Sequence, residues 1–180
     1  MPYATPTQFI AKFGLAETAQ MLADEEQLLT PLLLTDAIAG AWTGTPSADE
    51  QAAATAALAR ITRQLDVSSN YMDGYLRSAF TLPIAPDTAN AGVLEDCVLA
   101  LTRCGLADDT DNATERIDEA CKTWRSWLKD VQAGRAQLVG TDGEAPAVAG
   151  GVRTGQAATA YNWAAFPGGG CGGGYGGSAP

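Results

Sequence analysis

The chain has 180 residues, 46% of them hydrophobic, with 20 glycines, four cysteines and no histidine. That is room for one domain with a buried core plus an appendage. Eleven basic residues stand against twenty-one acids, giving a formal net charge of −10 and a pI near 4.3. This balance argues against a protein that wraps or reads nucleic acid, which needs clustered Lys and Arg to displace counterions; acidity alone is common among soluble proteins and names no function.

Residues 5–14 read as a short helix. Thr5 caps it, Pro6 suits the first helical position, Gln8 completes a T-x-x-Q capping box and Gly14 ends it. Phe9 and Phe13 share a face. Residues 15–23 predict a second short helix with Leu15, Ala19 and Leu22 turned inward. The stretch 28–46 gives no single reading: Leu28-Leu29 and Leu32-Leu33-Leu34 are split by Pro31, and Gly40, Gly44 and Pro46 end any pattern.

Ser47-Ala48-Asp49-Glu50 is a second capping box, with two acids placed on the dipole of the helix that follows. Ala54, Leu58, Ile61, Leu65, Met72 and Leu76 recur at spacings of three, four and seven. An unbroken helix from 48 to 79 would be roughly 48 Å long, but the stripe lapses at Ser68-Ser69-Asn70, where a kink or break is expected. Leu82-Pro83-Ile84-Ala85-Pro86 reads as an extended connection. A third long helix is expected from about Thr88 to Cys104, with Val93, Cys97, Ala100, Leu101 and Cys104 on one face. A polar turn at Asp108–Asp111 leads to a last helix, 112–133, whose stripe is Ile117, Ala120, Trp124, Leu128 and Val131. Asp118 and Lys122 form an acid-first i,i+4 pair, and Gly134 supplies the stop. Trp127 lies off the centre of the stripe and is a candidate subunit contact. No segment alternates as a strand would, so the fold class is all-α: a small helical bundle with one long central helix, body 1–139, followed by an extended Gly-rich arm, 140–180.

The chemistry offered is sparse. Without histidine there is no Ser-His or Cys-His nucleophile pair and no imidazole zinc ligand. Neither a P-loop nor a dinucleotide fingerprint is present in a strand-to-helix context. Asp109-Thr110-Asp111 superficially suggests a calcium loop, but Ala113, Thr114 and Ala120 stand where a ligand, the turn glycine and the bidentate Glu belong, so a solvated helix start is the better account. Asn112-Ala113-Thr114 matches a glycosylation sequon by chance. Arg125 and Lys129 could touch phosphate, yet an exposed helix face explains them equally. The reading is therefore of no catalytic, cofactor or metal residues, and not an enzyme. No secretory leader or membrane span is visible in the sequence. Reduced thiols are expected, with Cys97, Cys104 and Cys121 packed as small hydrophobes and Cys171 set apart among glycines.

From Gly140 onward the composition changes to Gly, Ala and Thr with spaced aromatics, Tyr161, Trp163, Phe166 and Tyr175, and a Gly-Tyr run over 168–177. Glycine loses more backbone freedom on ordering than any other residue, so such a segment builds no core of its own. Ordering costs roughly 1.5 kcal/mol per residue, which these aromatics alone do not offset. A fixed shape requires backbone pairing with a partner, or a ring of copies that raises the effective concentration. Stretched out, residues 140–180 reach about 140 Å; as a coil they span nearer 35 Å. The four aromatics are accordingly the expected partner-docking residues.

Three motifs resemble a known family: Tyr3-Ala4-Thr5 with Phe9 and Phe13-Gly14; Asn70-Tyr71-Met72-Asp73-Gly74-Tyr75-Leu76-Arg77; and Phe80-Thr81-Leu82-Pro83-Ile84, followed by Trp127-Leu128 on a later helix. Over about residues 3–134 the chain looks like Mu-like phage and prophage proteins similar to head–tail connector (adaptor) proteins. The Gly-Tyr run is outside that pattern. The resemblance implies helical subunits in a ring, usually of twelve, beneath the portal protein, with C-terminal arms reaching into it. It implies a stopper or tail-completion protein as the other partner and genome DNA passing through without specific binding. There would be no cofactor and no membrane, with a place in the virion neck and in the host cytoplasm during assembly. A stopper or head-completion protein of the same neck is the alternative; a carboxylate-based enzyme or small regulator is a further one.

Overall fold

A computed structural model describes residues 3–23, 26–84, 91–107 and 114–138. Six helices follow one another: α1 Pro6–Phe13, α2 Leu15–Met21, α3 Pro31–Ala39, α4 Ala48–Leu76, α5 Ala91–Leu106 and α6 Glu115–Gln132. The expected all-helical bundle is what forms. Helix α4, about 43 Å long at 1.5 Å per residue, is its hub, with α1, α3, α5 and α6 packed on it; α5 and α6 also pair with each other. The expected boundary at 139/140, the arm beyond it, the turn 108–111 and the start of a helix at 88 or at 112 lie outside the described residues.

Helix starts follow their caps. Thr5 Oγ1 accepts from Gln8 N and Gln8 Oε1 accepts from Thr5 N, the complete capping box. Gly14 then adopts φ 90°, a conformation that favours glycine, and separates α1 from α2. Ser47 and Glu50 close the second capping box. The Ser47 backbone N–H, and after it the Ser47 hydroxyl, hydrogen-bonds the Glu50 carboxyl and holds it below its ordinary value.

Three expectations need correction. Pro31 does not split a pattern; it starts one. Thr30 caps α3 through a bond from Leu33 N at 3.3 Å, and Pro31 occupies the first turn, where its missing N–H costs nothing. Leu33 and Leu34 are then buried while Leu32 faces out. Helix α4 also runs unbroken through Ser68-Ser69-Asn70. Both serines are buried: Ser69 Oγ accepts from Tyr3 N at 3.3 Å, while Ser68 lies on the side of α4 that faces α5 and α6. On α5, Val93 is 38% exposed and the inward residue is Leu94. The buried face runs through Leu94, Cys97, Val98 and Leu101, and residues 97–102 are all buried because α5 is covered by both α4 and α6.

The cysteines give a fourth correction. Cys104 and Cys121 form a disulfide between α5 and α6, with Cα atoms 6.1 Å apart. No C-x-x-C spacing announces it, because the α5–α6 hairpin brings together residues 17 apart in sequence. The pair sits in a small satellite cluster with Ala107 and Ile117. Cys97 is the free, buried cysteine, and burial pushes its thiol up to about 12; Cys171 lies outside the described residues.

On α6, Ile117, Cys121, Leu128 and Val131 are buried, while Ala120 and Trp124 are half-buried. The i,i+4 pair expected of Asp118 and Lys122 is not among the ion pairs of the described residues. Those pairs link Lys12 to Asp96 at 2.6 Å, Arg103 to Glu17, and Arg135 to Asp130 at 2.6 Å. The first two tie the α1–α2 corner to α5. After α6 the chain folds back to bury Leu138 against the main core.

Candidate functional site

Tyr161, Trp163, Phe166 and Tyr175, the expected docking residues, lie outside the described residues. Trp127, the expected subunit contact, is half-buried. It packs against the core and meets Trp124 edge-on at 5.5 Å between centroids, so part of its surface serves the body itself.

The motif around Tyr71 resolves into two clusters on two faces of α4. On one, Tyr3 lies across the helix: its N–H donates to Ser69 Oγ and its hydroxyl donates to Asp73 Oδ1 at 2.7 Å. Ser69 and Asp73 are four residues apart and therefore share a face. Burial, then the hydrogen bond to Asp73 and its negative charge, push the Tyr3 hydroxyl up to about 12. The Tyr-x-Thr start is thus architectural: Tyr3 docks on α4 while Thr5, two residues on, caps α1.

Asn70, Tyr71 and Gly74 face away from that contact. Tyr71 and Tyr75, one turn apart, share a hydrogen bond between their hydroxyls at 3.0 Å and meet edge-on at 5.2 Å. That bond, with some burial, raises Tyr71 above its ordinary value, while the positive charge of Arg125 pulls the other way. Tyr71 is 40% exposed and Val67, one turn before it, 50%.

Beside them runs a groove of about 160 Å³ between α4, α5 and α6, lined by Gln64, Val67, Ser68, Tyr71, Leu101, Gly105 and Arg125. The lining is mostly apolar or neutral. Arg125 is its one charged residue, in a chain whose net charge is −10. Gly105 matters to its shape, because a Cβ there would stand 2.0 Å from Gln64 Nε2; without one, Gln64 lies along α5 and the groove stays shallow and open.

This surface was legible only in part. Val67, Tyr71 and Tyr75 are a second stripe at four-residue spacing, offset from the core stripe of α4, and that spacing is the signal available in the sequence. The other wall comes from α5 and α6, residues whose approach to α4 no local pattern discloses.

Among the described residues no group of three or more Cys, Asp or Glu side chains is placed to hold a metal ion, and no helix is long and apolar enough to cross a membrane. What the groove offers is an aromatic edge, an aliphatic floor and a single cation, which suits recognition of an uncharged apolar group.

No curated protein matches the chain closely enough to be called a relative. The family model described as "Bacteriophage Mu, Gp36" matches residues 3–155, which takes in the Tyr3 junction, the whole of α4 and every wall of the groove, and the chain belongs to that bacteriophage family.

Proposed function

We propose that the protein is a structural head–tail connector, or adaptor, of a tailed bacteriophage. Copies form a ring under the portal and join it to the stopper or tail-completion protein. The C-terminal stretch, residues 140–180, docks on the portal or on neighbouring subunits, and the role needs no catalytic step and no cofactor. The observation that carries this reading is the family match over residues 3–155, taken with the likeness of the same motifs to connector proteins. Two features support it. A helical body built around one long helix exposes an apolar, aromatic strip at Val67 and Tyr71, and the sequence continues past that body into an aromatic, glycine-rich stretch unable to build a core.

The charge fits the same role. Many copies of a chain of net charge −10 give a channel whose acids repel the DNA backbone, so that the genome slides without adhering. Acids confined to the outer wall of an imaged ring would refute this part.

The test is assembly. Full-length protein mixed with the portal is expected to form closed rings seated on it, seen by native mass spectrometry and electron microscopy; a monomer that never joins the portal sinks the reading. Removing residues 141–180 is expected to abolish portal docking while the far-ultraviolet dichroism of the body persists. Docking that survives the truncation shows that the arm is not the link.

A further inference from the structure

The groove between α4, α5 and α6 has the size and chemistry of a receptor for one ring. We infer that it receives an aromatic side chain of the segment Tyr161–Phe166, delivered by the neighbouring copy; the inference rests on the connector reading, which supplies that neighbour. Three observations favour this occupant. The groove measures about 160 Å³, and a cavity of about 150 Å³ accepts benzene, so its volume matches a single ring.

The lining contains no carboxylate, and its one cation, Arg125, stands beside Tyr71. An incoming ring therefore meets an aromatic edge, the apolar Val67 and Leu101, and a guanidinium able to lie over its face. From Thr154 to Pro180 the chain carries no charged side chain, so this segment enters without burying a charge.

Supply is the third. The described body ends at Leu138, and the stretch from there to Tyr161 spans about 26 Å as a coil and up to about 75 Å when extended, far enough to cross to an adjacent subunit. One ring in one groove is too weak to hold two free chains together. In a closed assembly the neighbour is already in place, and the effective concentration makes the contact persist. A donor-to-acceptor contact of this head-to-tail kind satisfies every copy only when the chain of contacts closes on itself, as a ring does.

Cross-linking between full-length chains tests this. One preparation carries Val67→Cys with Cys171→Ser, a second carries Ala165→Cys with Cys171→Ser, and the two are mixed under portal-assembly conditions and oxidised mildly with oxidised glutathione. The expected product is a covalent heterodimer, and adding Trp163→Ala and Phe166→Ala to the second chain lowers its yield by at least roughly tenfold, the equilibrium worth of one buried ring. Several results overturn the inference. Homodimers of the Val67→Cys chain alone mean that bodies pack on each other there. A third chain that carries both Val67→Cys and Ala165→Cys and closes only within itself, with no heterodimer in the mixture, means the groove takes its own arm, and absence of any product means it takes neither. Native mass spectrometry of the same samples separates the two levels: rings on the portal without the cross-link end the groove assignment alone, whereas absent rings end the connector reading as well.

Discussion

Between Val67 and Tyr75, helix α4 presents tyrosine chemistry on two faces with opposite fates. On one, the Tyr3 hydroxyl is tied to Asp73 and its backbone to Ser69, so the N-terminal segment covers the helix and Ala4 is buried. On the other, Tyr71 bonds to its own helical neighbour Tyr75 and remains 40% exposed beside an open groove. The same motif thus supplies an internal clasp and an uncovered surface. A family pattern marks both kinds of residue alike, and only the partner each tyrosine finds separates architecture from recognition.

The largest effect is expected where the two faces meet the core. Met72 is completely buried, and Met72→Ala leaves a cavity in the hub helix. It should lower unfolding free energy by about 2–5 kcal/mol in denaturant titration. A loss below 1 kcal/mol would mean that α4 is not the hub.

Next is the disulfide that fastens the two helices opposite Tyr71. Reduction of Cys104–Cys121, with its separation of 17 residues, should destabilise the protein by about 3 kcal/mol. Unchanged melting in reducing buffer, with free thiols verified by mass, would show that the hairpin needs no staple.

How much of this was legible in the sequence depends on the range of the forces involved. Capping boxes at Thr5 and Ser47 are local, and both helices start where those residues require. Pro31 carries local information too, but two readings compete: a proline after Thr30 begins a helix as readily as it interrupts an apolar run. The lapse at Ser68-Ser69 reads as weakness in a one-dimensional stripe, yet Ser69 turns out to be the seat of Tyr3, 66 positions away. Val93 and Leu94 differ by only one step around α5, and which faces inward is decided by α4 and α6 together. The disulfide and the groove are products of tertiary return. Cys104 finds Cys121, and Leu101 finds Val67, because the chain reverses, and no spacing rule encodes that.

The clasp itself offers a smaller, pH-resolved effect. Asp73→Ala removes the acceptor of the Tyr3 hydroxyl and should cost about 1–2 kcal/mol. Because the folded-state value of Tyr3 is raised to about 12 from 10.0, its contribution is complete below pH 10 and is lost as pH rises through about 12. In Asp73→Ala the Tyr3 value should fall toward 10 yet stay above it, since burial is the first cause of the shift. Ultraviolet titration of phenolate, compared with a Tyr3→Phe control, measures this. An unchanged titration would mean that Asp73 does not hold the phenol.

The smallest stability effect, and the one that sharpens the comparison most, belongs to Tyr71. Its ring is exposed on the groove side, and its hydroxyl meets only another tyrosine of the same turn. Tyr71→Ala leaves no cavity in the core, because the ring sits at the surface with 40% of it in water, and it strands no polar partner, because Tyr75 can turn its hydroxyl to water. Unfolding free energy should therefore change by no more than about 0.5 kcal/mol. If α4 carries a clasp on one face and a recognition surface on the other, Tyr71→Ala and Asp73→Ala must separate in assembly as well as in stability. The first should spare the melting temperature and weaken ring closure; the second should lower the melting temperature and, at temperatures where the body is folded, leave closure intact. Equal losses of stability from the two substitutions would show that Tyr71 is part of the body's own packing, and would remove the distinction between the faces.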